Sequence, residues 1–191
     1  MGIEIAPGKV IALLWIAFLA SWVIGAFWAE RPEKRAGTRA EAGYRIALLI
    51  GTVLFLIPAH GYQGWMRIWY PGLTFVWLCI GLMLVGFAFC WWARAYLGRL
   101  WSSQVTKKQD HYIVDTGPYA LVRHPIYTGI ILAVLATAAV KGTLLGIAGA
   151  ALIVLGLWMK ARLEERFLRA ELGAAAYDDY SRRVPMLVPF V

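Results

Sequence analysis

Five apolar runs, separated by polar stretches, set the pattern of this chain. A helix that crosses a bilayer needs about 20 mostly apolar residues at about 1.5 Å rise each. The first run, Val10 to about Trp28, carries no charge. A cleavable leader would want a basic segment before a shorter core; only Lys9 precedes this run, so a retained span is expected. The second run covers about Arg45 to Pro58, with His60–Tyr62 extending it into the interface. Leu73–Trp92 is a clear third, about Ile126–Val140 a shorter fourth, and Thr143 to about Met159 a fifth. Only Lys141-Gly142 separates the last two, so they must form a tight antiparallel hairpin. Gly129, Ala133 and Thr137 lie four apart on one of its helices, as do Gly142, Gly146 and Ala150 on the other. Small residues at that spacing let helices approach closely in lipid, although glycine and alanine are common in spans for any single position. The expected fold is an all-α integral membrane bundle of about five transmembrane helices.

Composition agrees with that pattern. Of 191 residues, 61% are hydrophobic and 16% charged, and the mean hydropathy is +0.63. Soluble domains average roughly 45–50% apolar and about 25% charged, so an ordinary soluble globule and a disordered chain are both excluded. The length suits one membrane domain, with three spans in residues 1–93 and a polar loop, the hairpin and a tail in 94–191. Cys79 and Cys90 sit inside one apolar run and read as packed thiols, which excludes a disulfide scaffold.

The net charge of +8 does not point to nucleic acid, because the basic residues lie in loops between apolar runs. Of the 19 basic residues, all but Lys9, Arg67 and Lys141 fall on one side of the predicted topology. Positive loops stay in the cytosol. The N-terminus is therefore expected outside, with the 94–125 segment and the tail after Met159 both cytosolic. Trp65, Trp69 and Tyr70 then fit an outer aromatic belt, and Trp91, Trp92 and Trp101 an inner one. Any chemistry is expected where those two segments meet, at the cytosolic end of the hairpin.

The first segment holds a turn at Gly117-Pro118 and then Tyr119, Arg123, His124, Pro125 and Tyr127. Pro125 suits the first turn of a helix, which puts His124 at its cap and its free N–H groups where an anion would bind. Arg123 offers a planar fork for a carboxylate, and Tyr119 and Tyr127 offer faces to a flat ring. A snorkelling arginine and interfacial tyrosines at a helix start explain the same residues. The second segment, Lys160 to Gly173, continues the fifth run as a helix carrying Arg162, Glu164, Glu165 and Arg166. Paired carboxylates just below a span suit a bound cation or a proton. Taken alone, they equally suit a solvated helix laced by charge pairs four residues apart. The chain lacks a G-x-G-x-x-G, a phosphate-binding G-x-x-x-x-G-K-[ST] and an H-E-x-x-H. Three scattered histidines (His60, His111, His124) argue against a metal cage, and no charge sits mid-span to mark an ion pathway.

These residues resemble the isoprenylcysteine carboxyl methyltransferase family and the related phospholipid N-methyltransferases. The resemblance runs from Leu97-Gly98 to Phe190. It rests on ordered pieces: Gly98-x-x-Trp101-Ser102; Gln104 and then His111-x-x-Val114; Gly117-x-Tyr119; Arg123-His124-Pro125-x-Tyr127; Glu164-Glu165; Gly173 with Tyr177 and Tyr180; Arg183-Val184-Pro185; and Pro189-Phe190. It implies a membrane methyltransferase using S-adenosyl-L-methionine, with its active site facing the cytosol. It further implies cofactor contacts from Gln104, His111, Tyr112, Ile113, Val114, Gly117, Tyr119, His124, Pro125, Ile126, Tyr127 and Glu165, and catalytic roles for Arg123, Glu164 and Glu165. Lys160, Arg162 and Glu164 would meet the substrate. Eukaryotic members carry arginine four residues before the glutamate, where this chain has Lys160. The implied partner is a lipophilic or prenylated small molecule arriving from the bilayer, methylated on a carboxylate or another heteroatom. Phospholipid N-methylation is the alternative acceptor chemistry. An NADPH-dependent enzyme of the sterol-reductase kind, with Arg182-Arg183 on the 2′-phosphate, and a non-enzymatic scaffold are the alternatives of other classes.

Overall fold

A computed structural model of the chain describes residues 6–27, 34–35, 37–58, 66–98, 106–107 and 113–190. Among the described residues it is all-helical apart from one two-residue ladder and an isolated bridge between Arg67 and Thr143. Helix α1 spans Pro7–Ala26, α2 Thr38–Leu56, α3 Leu73–Leu97, α4 Pro125–Lys141, α5 Leu144–Leu172 and α6 Ala174–Arg183; a 3-10 turn covers Gly117–Ala120. Strands β1 (Lys34–Arg35) and β2 (Thr106–Lys107) pair antiparallel, which brings the α1–α2 and α3–α4 connections together at one end of the bundle. Among the described residues, three helices, over Pro7–Gly25, Leu73–Leu97 and Leu144–Glu171, are long and apolar enough to cross a membrane, and Pro125–Lys141 is a shorter apolar helix. The second predicted run begins earlier than its apolar core suggests. Thr38 to Tyr44 already form helix, because Glu41 is buried and ion-paired with Arg45 one turn on.

The packing order is α1–α3–α4–α5–α2. Helix α1 lies parallel to α3, with Ile11 and Phe18 in one core with Val76, Ile80 and Phe87, and Phe18 stacked on Phe87. Helices α3 and α4 run antiparallel through a glycine contact: a Cβ on Gly86 would meet Gly129 O at 2.6 Å, and one on Gly129 would meet Gly86 O at 2.4 Å. Further along that seam Thr137 meets Met83. Helix α5 packs on α2 in the same manner, Gly149 against the backbone of Gly51 and Phe55, and Gly156 against Leu48. The small residues therefore do not chiefly serve the α4–α5 hairpin, as their spacing on adjacent helices suggests. Gly129, Ala133 and Thr137 serve α3, and α5 uses Gly149 and Gly156 for α2, while Ala150 packs with Val134, Ala138 and Phe55 between the hairpin and α2. Two helices joined by so short a turn are held together by the connection itself. Their glycines are left free for neighbours that are distant in sequence.

The hairpin end is closed by the chain before α3. Ile68 N donates to Gly142 O, Arg67 to Lys141 O and Trp69 Nε1 to Ala139 O, while Lys141 Nζ donates to the carbonyls of Phe55 and Ile57 at the end of α2. Each bond satisfies a carbonyl that a helix end leaves open. Gly142 takes a left-handed φ of 57°, and a Cβ there would meet Trp69 O at 2.3 Å.

Gly129→Ala is expected to force α3 and α4 apart and to cost about 1–3 kcal/mol, the usual range for overpacking. Gly81→Ala, at a position with open space around it, is expected to cost little. Thermal unfolding in detergent compares the two.

Candidate functional site

At the opposite end, the start of α4 is buried under the tail. The Arg123 N–H donates to Pro185 O and the His124 N–H to Met186 O, at 2.8 and 3.1 Å. Thr128 Oγ1 donates to Leu187 O at 2.6 Å. The backbone amides of Arg123 and His124, which precede the first turn of α4, are thus taken by the chain's own carbonyls. A helix start facing an apolar bundle cannot leave its donors unpaired, and the residues after α6 supply the acceptors.

Arg123 fastens this arrangement. Its Nε donates to Glu165 Oε1 at 2.7 Å, and its Nη1 donates to Ser181 O and Val184 O at 2.9 and 2.5 Å. The fork read from the sequence does meet a carboxylate, one belonging to α5. His124 lies between the two glutamates, Nε2 at 3.2 Å from Glu165 Oε1 and Nδ1 at 3.6 Å from Glu164 Oε2. Tyr127 stacks parallel to the His124 ring, with centroids 5.4 Å apart, and donates its hydroxyl to Glu164 Oε1 at 2.7 Å. Lys160 Nζ stands 4.0 Å from the same oxygen. Arg123, His124, Tyr127, Lys160, Glu164 and Glu165 therefore form one cluster built from the start of α4 and from α5, at most 42 residues of chain apart and adjacent in space. The Glu164-Glu165 pair is not a solvated face: its side chains are 17% and 13% exposed.

Other expected residues fall elsewhere. Tyr119 and Ile126 are buried on Ala93 of α3, with Val114 packed beside them. Pro125 is fully buried. Gly117 holds a φ of 58° under the Tyr96 ring, where a Cβ would come within 2.6 Å. Ile113 joins Tyr177, Tyr180 and Val184 in a separate small core. Burial pushes the Tyr119 and Tyr180 phenols well above their usual range, so both remain donors; the Tyr180 hydroxyl donates to Tyr119 O at 2.8 Å. Gln104, His111 and Tyr112 lie outside the described residues. Arg182 and Arg183 are paired with Asp179, and Arg183 also with Asp115, so neither offers an uncommitted fork to a phosphate.

Arg123 and Glu165 open onto a cleft of about 700 Å³ between the start of α2, the lower part of α5 and α6. Arg162, Arg166 and Arg169 line it from α5, with Trp158, Met159 and Leu163; Tyr44 closes it from α2, and Tyr177, Asp178 and Ser181 from α6. Arg169 grips Asp178 with two bonds, 2.6 and 2.7 Å. The first of these bonds outweighs the small cost of burial and holds the Asp178 carboxyl below its ordinary range. Tyr44, Trp158 and Asp178 escape a sequence reading. Tyr44 looks like an interfacial tyrosine at a helix start, and nothing in its neighbourhood announces that α2 reaches the polar cluster.

An all-helical membrane bundle, with a buried arginine–histidine–glutamate cluster under its last two helices and an amphipathic cleft beside it, defines a polytopic membrane protein with a polar site at one end. The family model for the isoprenylcysteine carboxyl methyltransferase family matches residues 79–170. The chain is 26% identical over 152 residues to protein-S-isoprenylcysteine O-methyltransferase B of Arabidopsis thaliana, covering 78% of this chain and 74% of that one. It is 48% identical over 73 residues to methanethiol S-methyltransferase 2 of Bradyrhizobium diazoefficiens, covering 37% of this chain and 26% of the relative. The solved structure of a eukaryotic intramembrane Ras methyltransferase of the same family superposes with a TM-score of 0.53 at 21% identity, over 78% of this chain and 52% of that one. The chain thus spans about half of that solved protein and about a quarter of the Bradyrhizobium relative.

Arg123→Ala is expected to release the tail and cost roughly 3–5 kcal/mol, the range for breaking a buried ion pair. Carboxypeptidase should then trim the chain past Val184 in the variant and stop short of it in the parent. Arg182→Ala, which removes only an exposed pair, should leave trimming unchanged.

Proposed function

We propose that this chain is an integral-membrane, S-adenosyl-L-methionine-dependent methyltransferase that acts on a heteroatom of a lipophilic acceptor, with its site on the cytosolic side and its N-terminus outside. The observation that carries the reading is the cleft. One concave surface combines arginines (Arg123, Arg162, Arg166), acids (Glu165, Asp178) and aromatic faces (Tyr44, Trp158, Tyr177). That donor set fits the cofactor, which bears a carboxylate, an ammonium, ribose hydroxyls and a flat purine. The cleft volume lies within the roughly 300–1,000 Å³ typical of small-molecule sites. Arg162 and Arg166 would meet the carboxylate, Glu165 the ammonium or hydroxyls, and the aromatic side chains the purine. When bound, the cofactor supplies an electrophilic methyl group.

The chain's own work is positioning and exclusion of water. Arg123 and His124 fix the orientation of Glu165, and the strapped tail keeps both in place. Holding two reactants in line is worth about 7–11 kcal/mol of a barrier. A carboxylate acceptor is already a nucleophile at neutral pH and needs no base. An amine or thiol gives up a proton, and Glu165, with His124 Nε2 3.2 Å behind it, is placed to take it. The apolar acceptor reaches the site from the bilayer, and the polar cofactor from the aqueous end.

A carboxylate acceptor is the first reading, as in the isoprenylcysteine relatives. A thiol is the second, favoured by the 48% identity of the matched segment to a protein named as a methanethiol S-methyltransferase.

Calorimetry of the detergent-solubilised protein with S-adenosylhomocysteine is expected to show binding. Glu165→Ala and His124→Ala are each expected to abolish it while still inserting in membranes. A folded wild-type protein that does not bind overturns the reading. Labelled-methyl transfer to extracted lipids, to a prenylcysteine analogue and to a small thiol, with the product identified by mass, separates the acceptors.

A further inference from the structure

The cleft beside α5 carries more positive charge than its walls neutralise. Four guanidiniums, of Arg123, Arg162, Arg166 and Arg169, face two carboxylates, of Glu165 and Asp178. Both carboxylates are already taken: Arg123 holds Glu165, and Arg169 grips Asp178. That leaves Arg162 and Arg166. Both are exposed, and no carboxylate among the described residues pairs with either. Arg162 lies instead over the Trp158 ring, 5.5 Å from its centroid. Like charges four residues apart on a helix repel, and a concave surface of one sign focuses its field on an arriving counter-ion.

Trp158, Arg162, Arg166 and Arg169 follow one another at spacings of four, four and three, so they form a single stripe down α5. The stripe begins where the apolar run ends, at Met159, with Lys160 as the first charge. An exposed tryptophan at that level marks the headgroup region of a bilayer. The cleft is therefore apolar at one end, with Trp158, Met159 and Leu163, and basic at the other. Tyr127, Lys160 and Glu164 do not line it, so the stripe is a different surface from the cluster at the start of α4. Charge also separates it from the needs of the cofactor. S-adenosyl-L-methionine carries one negative and two positive groups, so a cofactor in the cleft leaves the positive excess in place. A planar guanidinium fork matches the oxygens of a phosphate, and two of them stand unmatched here.

We infer that Arg162 and Arg166, with Trp158 beside them, form a binding site for the headgroup of an anionic phospholipid in the leaflet at the polar end of the bundle. Basic pockets between membrane helices at headgroup depth hold such headgroups. The two forks take the phosphate oxygens, and the acyl chains run back past Trp158 and Met159 into the bilayer. A soluble phosphate ester presents the same oxygens and has nothing to set against the apolar end. The site does not depend on the methyltransferase reading.

Native mass spectrometry of the whole chain, released from detergent, measures binding of phosphatidic acid, of phosphatidylcholine with the same acyl chains, and of glycerol phosphate. Phosphatidic acid should bind roughly thirty-fold more tightly than phosphatidylcholine, and more tightly than glycerol phosphate. Arg162→Gln and Arg166→Gln should each weaken phosphatidic acid about five-fold and the double variant roughly thirty-fold, leaving phosphatidylcholine within about two-fold. Arg182→Gln, at an arginine paired with Asp179 on α6 and outside the cleft lining, should change nothing. Trp158→Leu should weaken phosphatidic acid and spare glycerol phosphate. The inference is overturned if the double variant binds phosphatidic acid like the parent or loses both lipids equally. It is also overturned if glycerol phosphate binds as tightly as phosphatidic acid, which makes the site one for soluble phosphates. A decaglutamate peptide that binds more tightly than phosphatidic acid through the same two arginines overturns it in favour of an acidic protein segment. Calorimetry of the parent with S-adenosylhomocysteine keeps the two readings apart: a protein that shows the lipid pattern and binds no nucleoside retains this site and loses the methyltransferase reading.

Discussion

The guanidinium of Arg123 is the joint on which the polar end of this protein depends. It ties the start of α4 to Glu165 on α5 and to two carbonyls where α6 gives way to the tail. A small core of Tyr177, Tyr180 and Val184, with Ile113 and Leu168 packed on it, supports the same joint. Helix α6 is short and mostly polar, and the tail after it has no regular structure. What places them is the obligation to satisfy donors and acceptors in a region with little water. An arginine meets that obligation better than a lysine, because its planar fork bonds in several fixed directions at once. The backbone amides at Arg123 and His124 complete the joint from the other side.

Much of the bundle is readable from the chain. The five apolar runs, the tight hairpin and the continuation of the fifth run into a charged helix all follow from length and period. The partnering of helices does not. Small residues four apart on consecutive helices suggest a seam between them, yet Gly129 on α4 and Gly149 on α5 each face a helix elsewhere in sequence, at Gly86 and Gly51 respectively. Spacing shows that a close approach exists somewhere on a face, and only the packing says with what. The polar beginning of α2 was hidden for a similar reason. Glu41 and Arg45 look like surface charges, and their burial against the rest of the bundle is a tertiary fact.

The site divides along the same line. The arginine–histidine–proline corner and the paired glutamates are recognisable by residue type, and their convergence follows once α4 and α5 are seen as a hairpin. Which of their atoms are already committed is not readable. Arg123 presents a carboxylate fork in sequence and spends it on Glu165 in space. Tyr119 and Ile126, aromatic and apolar beside a polar motif, serve the packing of α4 on α3. Tyr44 sits nearly eighty residues before the corner, in a stretch with no distinctive pattern, and yet it faces Lys160.

The docking of Pro185, Met186 and Leu187 onto α4 bears on how the protein is handled. An affinity handle fused after Val191 hangs a few residues from carbonyls that hold the site together, and pulling on it loads those bonds directly. Pro7, by contrast, opens α1 at the end of the bundle where the hairpin turns, a full helix length from the arginine joint. Immobilisation through the N-terminal side leaves the strap unloaded.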